Sequence, residues 1–248
     1  MIVIKSAQEI EYMRQAGKVV AQTLHELGKR VKPGVTTGEL NEFADEFIRK
    51  AGCVPAFLNY QGFPASICTS INNEVVHGIP GLRKLVNGDI ISIDVGAFYK
   101  GYCGDAACTF PVGDISPEAE RLLEVTKQSL YVGIEKAVKG NRIGDIGAAI
   151  QTFVEDNGYH VVRAFVGHGI GQKMHEDPQV PNFGTPGRGP RLEPGMTLAI
   201  EPMVNIGTYD VAIMPNKWTV VTKDGSLSAH FEHSVLVTGG KPEILTRL

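Results

Sequence analysis

Helix signals recur in pairs about 106 residues apart, and this repetition constrains the fold of the 248-residue chain more than any other feature. Ser6 and Glu9 form a capping box ahead of an amphipathic run that ends near Val31. Thr36 and Glu39 form another ahead of LNEFADEFIRKA, which Gly52 stops. In such a box the hydroxyl and the carboxylate each accept a backbone N–H that the helix start leaves unpaired. Later, Ser116–Pro117 opens the run EAERLLEVTKQSLYVGIEKAV, and GDIGAAIQTFVED stops at Asn157–Gly158. Proline suits the first turn because its missing N–H would have no partner there. The shift lays Gly34 on Gly140, Gly38 on Gly144, Leu40 on Ile146, Phe47 on Phe153 and Gly52 on Gly158. Two α–α–β halves, roughly 1–110 and 111–248, are therefore expected to close into one domain with a site at their junction.

The remaining apolar runs read as strands. DIISIDVGAF and GYCGDAACTF flank Tyr99–Lys100–Gly101 as a hairpin, and TLAIEPMV, KWTVVTK and SAHFEHSVLVT alternate or run apolar. PNFGTPGRGPRLEPG is rich in proline and glycine and reads as a loop. MIVIKSAQEIEYMRQAG has no signal-peptide core and reads as a short strand followed by a helix. No apolar run approaches the ~20 residues of a membrane span, so the protein is expected in the cytoplasm, as a monomer. A net charge of −3 gives no general pull toward nucleic acid or anionic membrane, and Lys29, Arg30 and Lys32 read as a solvated helix end. Cys53, Cys68, Cys103 and Cys108 lack zinc-type spacing and are expected to stay reduced.

Five residues break this ordinary pattern: Asp94, Asp105, His168, Glu201 and Glu232. Each sits in an apolar or glycine-rich segment, and no lysine or arginine adjoins Asp94, Glu201 or Glu232. Carboxylates in such surroundings need a counter-charge, because a buried unpaired charge is costly. A hairpin turn at Tyr99–Lys100 sets Asp94 opposite Asp105, whereas a turn at Lys100–Gly101 sets them diagonal. Both registers leave the pair on one sheet face, since side chains alternate with period two. Two carboxylates about 4 Å apart repel by roughly 4 kcal/mol at an effective dielectric near 20, and a shared cation removes that penalty. His168 lies among Gly167, Gly169 and Gly171, after a strand, with His175 seven residues on. Glu201 ends the strand TLAI before Pro202, and Glu232 is expected within one continuous strand, on the side of His230 and Ser234. An oxygen-rich set with one imidazole and no thiolate suits two divalent ions in a hydrolase, with positions left open for water or substrate. No nucleophile elbow, phosphate loop or dinucleotide fingerprint competes.

The segments NNEVVHGIP, IDVGAFYKGYCGDAACTF, GHGIGQKMHEDPQVPNFG, AIEPM and SLSAHFEHSVLVT resemble the successive motifs of the type I methionine aminopeptidases, over essentially the whole chain. The resemblance implies the α/β (α+β) pita-bread fold, a curved antiparallel sheet covered by helices in pseudo-twofold halves. It implies a hydrolase that removes the initiator methionine from nascent chains when the second residue is small, with transient ribosome contact. Matched to the family's motifs, Asp105 and Glu232 would bridge two ions (cobalt, manganese, iron or zinc). Asp94 would complete one, and His168 and Glu201 the other. A metal-held hydroxide would attack the carbonyl while Glu201 relays a proton. His77 would contact the scissile amide and His175 would steady the carbonyl oxygen. Tyr60, Phe63, Cys68 and Trp218 would wall the methionine pocket. Met174 stands where the family commonly has Phe, and His230 near a position that is often Gln. The alternatives are a proline-specific aminopeptidase or prolidase of the same fold, and a non-enzymatic binding protein of that fold.

Overall fold

A computed structural model describes all of residues 1–248. Four helices form: α1 (Ala7–Gly28), α2 (Thr37–Lys50), α3 (Pro117–Glu135) and α4 (Ile143–Asp156). Both expected capping boxes are made, Ser6 with Glu9 and Thr36 with Glu39. Helix α1 stops at Gly28, before Val31, because residues 29–31 turn back onto Leu27 O and His25 O. A shift of 106 residues carries α2 onto α4 at both ends. Gly52 and Gly158 follow these helices at φ +76° and +81°, a left-handed conformation that side-chain-bearing residues rarely adopt. The N-terminal residues 2–5 pair with no strand, contrary to expectation; a backbone bond from Lys5 N to Gly195 O and the Lys5–Glu176 ion pair tie them down.

The first half supplies β1 (Val54–Pro55), β2 (Ile67–Ile71), β3 (Glu74–Val76), β4 (Ile90–Tyr99) and β5 (Tyr102–Pro111). The second supplies β6 (His160–Val161), β7 (Gly167–Gly169), β8 (Glu176–Val180), β9 (Thr197–Ile200) and β10 (Met203–Asn205). It continues with β11 (Val211–Ile213), β12 (Val220–Thr222), β13 (Ser228–His230), β14 (His233–Leu236) and β15 (Glu243–Ile244). All pairings are antiparallel. Strand β4 pairs along its whole length with β5 on one edge and with β2 and then β1 at successive positions on the other, while a second sheet runs β15-β14-β9-β7-β8. Smaller sheets, β13-β10-β6 and β11-β12-β3, complete the fold.

Two apolar runs are broken, the first where the sequence expects the strand TLAI to end and the second against expectation. TLAIEPMV splits at Glu201–Pro202, with β9 and β10 in different sheets, as follows from a proline that cannot donate to a ladder. SAHFEHSVLVT splits at Phe231–Glu232, where the Glu232 N–H bonds Ala107 O instead of continuing its own strand. Both breaks fall on a carboxylate.

Separate apolar clusters fill each half. Ile48 of α2 packs with Ile67, Ile91 and Ile93 of the first sheet, and Leu122 and Leu130 of α3 pack with Ile146 and Ile150 of α4. Each such fully buried side chain contributes about 1.5–3 kcal/mol of transfer free energy. A third cluster, including Met13, Phe57, Phe63, Ile170, Met174 and Leu236, draws on both halves and underlies the site. No helix is long and apolar enough to cross a membrane.

Candidate metal centre

The hairpin turns at Lys100–Gly101, so Tyr99 pairs with Tyr102 and the second of the two registers is the one adopted. Asp105 lies across from Gly96 and Asp94 across from Ala107, which makes the aspartates diagonal neighbours on one face. Both carboxyl groups are buried there, and each raises the proton affinity of its neighbourhood rather than neutralising it. Glu232 reaches them because Ser234 fixes its segment: Ser234 Oγ accepts the Asp105 N–H at 3.0 Å and donates to Asp105 O at 2.8 Å. Glu201 ends β9, and His168 lies on β7 itself, one step from a bulge, rather than in a turn after a strand. Glycine on either side of His168 permits this. A Cβ at Gly167 would stand 2.3 Å from Ala199 O, and one at Gly169 2.1 Å from Asp177 O.

These side chains converge. One ligand atom each from Asp105, His168 and Glu232 lies within 4.8 Å of the others, and the same holds for Glu201, His230 and Glu232. His168 Nε2 is 3.5 Å from Glu201 Oε1, and His230 Nε2 is 3.8 Å from Glu201 and 3.9 Å from Glu232. Asp94 Oδ1, Asp105 Oδ1, Glu232 Oε1 and His230 Nε2 are buried with no hydrogen-bond partner. Burial pushes the Asp94 carboxyl up to about 7, and burial with mutual repulsion pushes Asp105, Glu201 and Glu232 well above the ordinary carboxylate range. Burial pulls His168 and His230 down to about 3. His168 Nδ1 is 2.9 Å from Gly169 O, which can only accept, so Nδ1 carries the proton and Nε2 presents its lone pair to the cluster. Orphaned oxygens and an oriented imidazole are what a divalent cation needs: hard oxygen donors, one borderline nitrogen and a fixed tautomer.

The cluster opens into a cavity of about 290 Å³. All eleven residues singled out in the sequence line it: Asp94, Asp105, His168, Glu201, Glu232, His77, His175, Tyr60, Phe63, Cys68 and Trp218. Phe57, Gln61 and Met174 complete the wall. Met174, noted in the sequence as a departure, is 3% exposed and so packs as part of the wall. Phe57 and Gln61 gave no signal, since neither is out of place in an apolar or polar stretch. His230 sits among the carboxylates, and its period-two relation to Glu232 was the available clue. Trp218 meets Phe63 edge-on, with centroids 5.1 Å apart. His175 stacks on Tyr60, whose hydroxyl is 2.8 Å from Nδ1. His77 adopts φ +60° and meets Phe165 edge-on, and burial pulls its imidazole down to about 4.

Residues 11–239 match the model of metallopeptidase family M24. The chain belongs to that family. It is 60% identical to the methionine aminopeptidase of Clostridium acetobutylicum, over 99% of both chains. The crystal structure of methionine aminopeptidase from Thermotoga maritima superposes with a TM-score of 0.98 at 47% identity, covering all of both chains. Xaa-Pro dipeptidase from Bacillus anthracis shares the fold at TM-score 0.80 and 23% identity, and the chain covers 62% of it. The M24 architecture is the pita-bread fold expected from the motifs, with helices over antiparallel sheets. Membership of a metallopeptidase family brings use of divalent metal, and the orphaned donors above fit one.

Proposed function

We propose that this M24 protein is a metal-dependent aminopeptidase that removes N-terminal methionine from polypeptides whose second residue is small. The observation that carries this reading is a junction: the orphaned carboxylates open directly into an apolar pocket walled by Tyr60, Phe63, Cys68 and Trp218. An unbranched thioether side chain fits apolar, aromatic walls, which also make favourable contacts with its sulfur. Full-length identity to an enzyme named methionine aminopeptidase supports the same reading.

Asp94, Asp105, His168, Glu201 and Glu232 would hold two divalent ions. Such ions, when bound, polarise a carbonyl and make water nucleophilic near neutral pH. The residues of the chain do the rest. With the Tyr60 hydroxyl donating to Nδ1, His175 presents an Nε2–H to the scissile carbonyl oxygen, a donor matched to the charge that grows as the carbon becomes tetrahedral. His77, neutral at physiological pH, contacts the scissile amide. Glu201 accepts a proton from the attacking water and passes it to the leaving amine, a general acid–base role open to a carboxylate at the edge of the cavity. The substrates would be nascent chains in the cytoplasm, met by a monomer in transient contact with the ribosome.

Incubating metal-loaded protein with Met-Ala-Ser and with Ala-Pro peptides tests the reading. Release of methionine from the first alone is expected. Cleavage of only the proline peptide would point to a prolidase-type activity, and inactivity with manganese, iron, cobalt and zinc alike to a binding protein.

A further inference from the structure

The ligand set proposed above has one imidazole, His168, yet a second imidazole reaches the same carboxylates. His230 ends β13, and its ring is buried. Its Nε2 atom has no hydrogen-bond partner. That atom lies 3.8 Å from Glu201 Oε2 and 3.9 Å from Glu232 Oε2. Both separations are too long for a hydrogen bond. They do suit donors on one cation, since ligands bound at about 2.0–2.2 Å lie no more than about 4.4 Å apart. Leaving a buried polar atom unpaired is costly. A cation set between this nitrogen and the two carboxylates removes that cost.

Glu201 stands between two rings. Its Oε1 faces His168 Nε2 at 3.5 Å, and its Oε2 faces His230. Glu232 belongs to both groups of converging donors, with Asp105 and His168 in one and with Glu201 and His230 in the other. The position of His230 is built by the hairpin that carries the aspartates. Its N–H donates to Thr109 Oγ1 at 2.9 Å, and Thr109 Oγ1 donates to His230 O at 2.8 Å. With that proton committed, Ser92 Oγ donates to Thr109 Oγ1 at 2.8 Å. Ser92 and Asp94 lie on β4, Asp105 and Thr109 on β5. On its own sheet His230 pairs with Met203 of β10. One framework therefore sets both aspartates and this ring.

We infer that His230 is a metal ligand: its Nε2 binds the ion held by Glu201 and Glu232, which gives the centre a second imidazole. Binding at Nε2 leaves the ring proton on Nδ1, whichever nitrogen carries it beforehand. Imidazole suits zinc, iron and nickel, whereas carboxylates suit manganese and magnesium. A second nitrogen donor turns the centre toward zinc and away from manganese. The inference rests on the metal centre of the proposed function and is independent of the methionine pocket.

The test loads the full chain, labelled with ¹⁵N-histidine, with ¹¹³Cd. A ring nitrogen bonded to ¹¹³Cd is split by one-bond coupling, whereas one that only hydrogen-bonds a ligand is not. Two split nitrogens are expected, one lost in His168→Ala and the other in His230→Gln, with circular dichroism to verify the fold of each variant. The wild-type count needs no variant: a single split nitrogen overturns the inference and makes His230 a neighbour of Glu201 only. A second split nitrogen that survives His230→Gln in folded protein overturns it as well. Absence of any split nitrogen overturns the metal centre itself, and the inference with it. His230→Gln should weaken zinc, read by chelator competition, by at least about tenfold, and manganese by less. Zinc weakened no more than manganese overturns the metal preference.

Discussion

His168 Nε2 and Glu201 Oε1 face each other at 3.5 Å, and the proton of that imidazole is already committed to Gly169 O on its other nitrogen. A lone pair therefore looks at a carboxyl oxygen, an arrangement that is comfortable only if Glu201 is protonated or a cation lies between them. His168→Ala removes the single imidazole of the proposed ligand set while leaving its carboxylates in place. Manganese affinity by calorimetry and methionine release are both expected to fall, the latter by more than about a hundredfold, since even groups that merely support a ligand cost 10–100-fold. Unchanged manganese affinity would remove His168 from the set.

The raised carboxyl groups make metal binding and stability pH-dependent, and the sign can be worked out. Without metal, burial pushes the Asp94 carboxyl up to about 7 and holds Asp105, Glu201 and Glu232 well above the ordinary carboxylate range. Above about pH 4 the unfolded chain has released these protons while the folded chain keeps them. The folded state then binds more protons, so the stability of the metal-free protein falls as pH rises toward 7 and beyond. Metal binding needs the deprotonated groups and gains from the same rise. Thermal melts with and without manganese at pH 5.5 and pH 8 should show the larger metal-induced increase at pH 8. An increase independent of pH would mean that the cluster does not take up the metal.

His175 and its partner Tyr60 act in the proposed mechanism through a donor, not through a ligand. Removing one such donor typically costs about 10²–10³ in turnover. His175→Ala should show that loss with metal content intact, and Tyr60→Phe, which frees Nδ1, a smaller one. His77→Ala should likewise slow turnover and spare metal. Metal analysis of the purified variants decides: depletion in any of them would mean that a ligand had been mistaken for a catalytic group.

Selectivity should rest on the aromatic wall. Trp218→Ala opens the edge-on contact with Phe63, so KM for Met-Ala-Ser should rise about tenfold or more, in the range expected for lost apolar pocket contacts, while kcat changes less. Peptides beginning with bulkier apolar residues should become better substrates relative to methionine. An unchanged preference would show that Trp218 serves only the core.

Much of this architecture was legible in the chain because local signals and long-range packing agree. The capping boxes of α1 and α2 and the glycine stops after α2 and α4 are set by neighbouring residues, so sequence suffices. The hairpin register was open because Tyr99–Lys100 and Lys100–Gly101 both offer a two-residue turn. Lys100 at φ +48° and Gly101 at φ +80° decide it, two left-handed positions that match the twist of the strands. The breaks at Pro202 and Phe231 differ in kind. Proline announces the first, but the second depends on Ala107, which is distant in sequence and bonds Glu232 N. His230 joined the site for the same reason: only the assembled cluster shows that its Nε2 lies among carboxylates.

The N-terminal segment offers the last prediction, because it clamps the loop that carries His175. Lys5 Nζ and Glu176 Oε2 form an ion pair at 2.6 Å with side chains only 3% and 10% exposed. Glu176 Oε1 also accepts the Lys173 N–H, and Gln172 Nε2 donates to Tyr102 Oη, which in turn donates to Glu9. Removing one member of a buried pair strands the other charge and costs about 3–5 kcal/mol, whereas replacing both can be nearly neutral. Lys5→Met should therefore destabilise the protein strongly in denaturant melts, and Lys5→Met with Glu176→Gln should recover most of the loss. If the pair also holds His175 in place, the double variant will regain stability before it regains turnover, since glutamine restores neutrality but not the tether to residue 5. Equal recovery of both would leave the pair a purely structural tie.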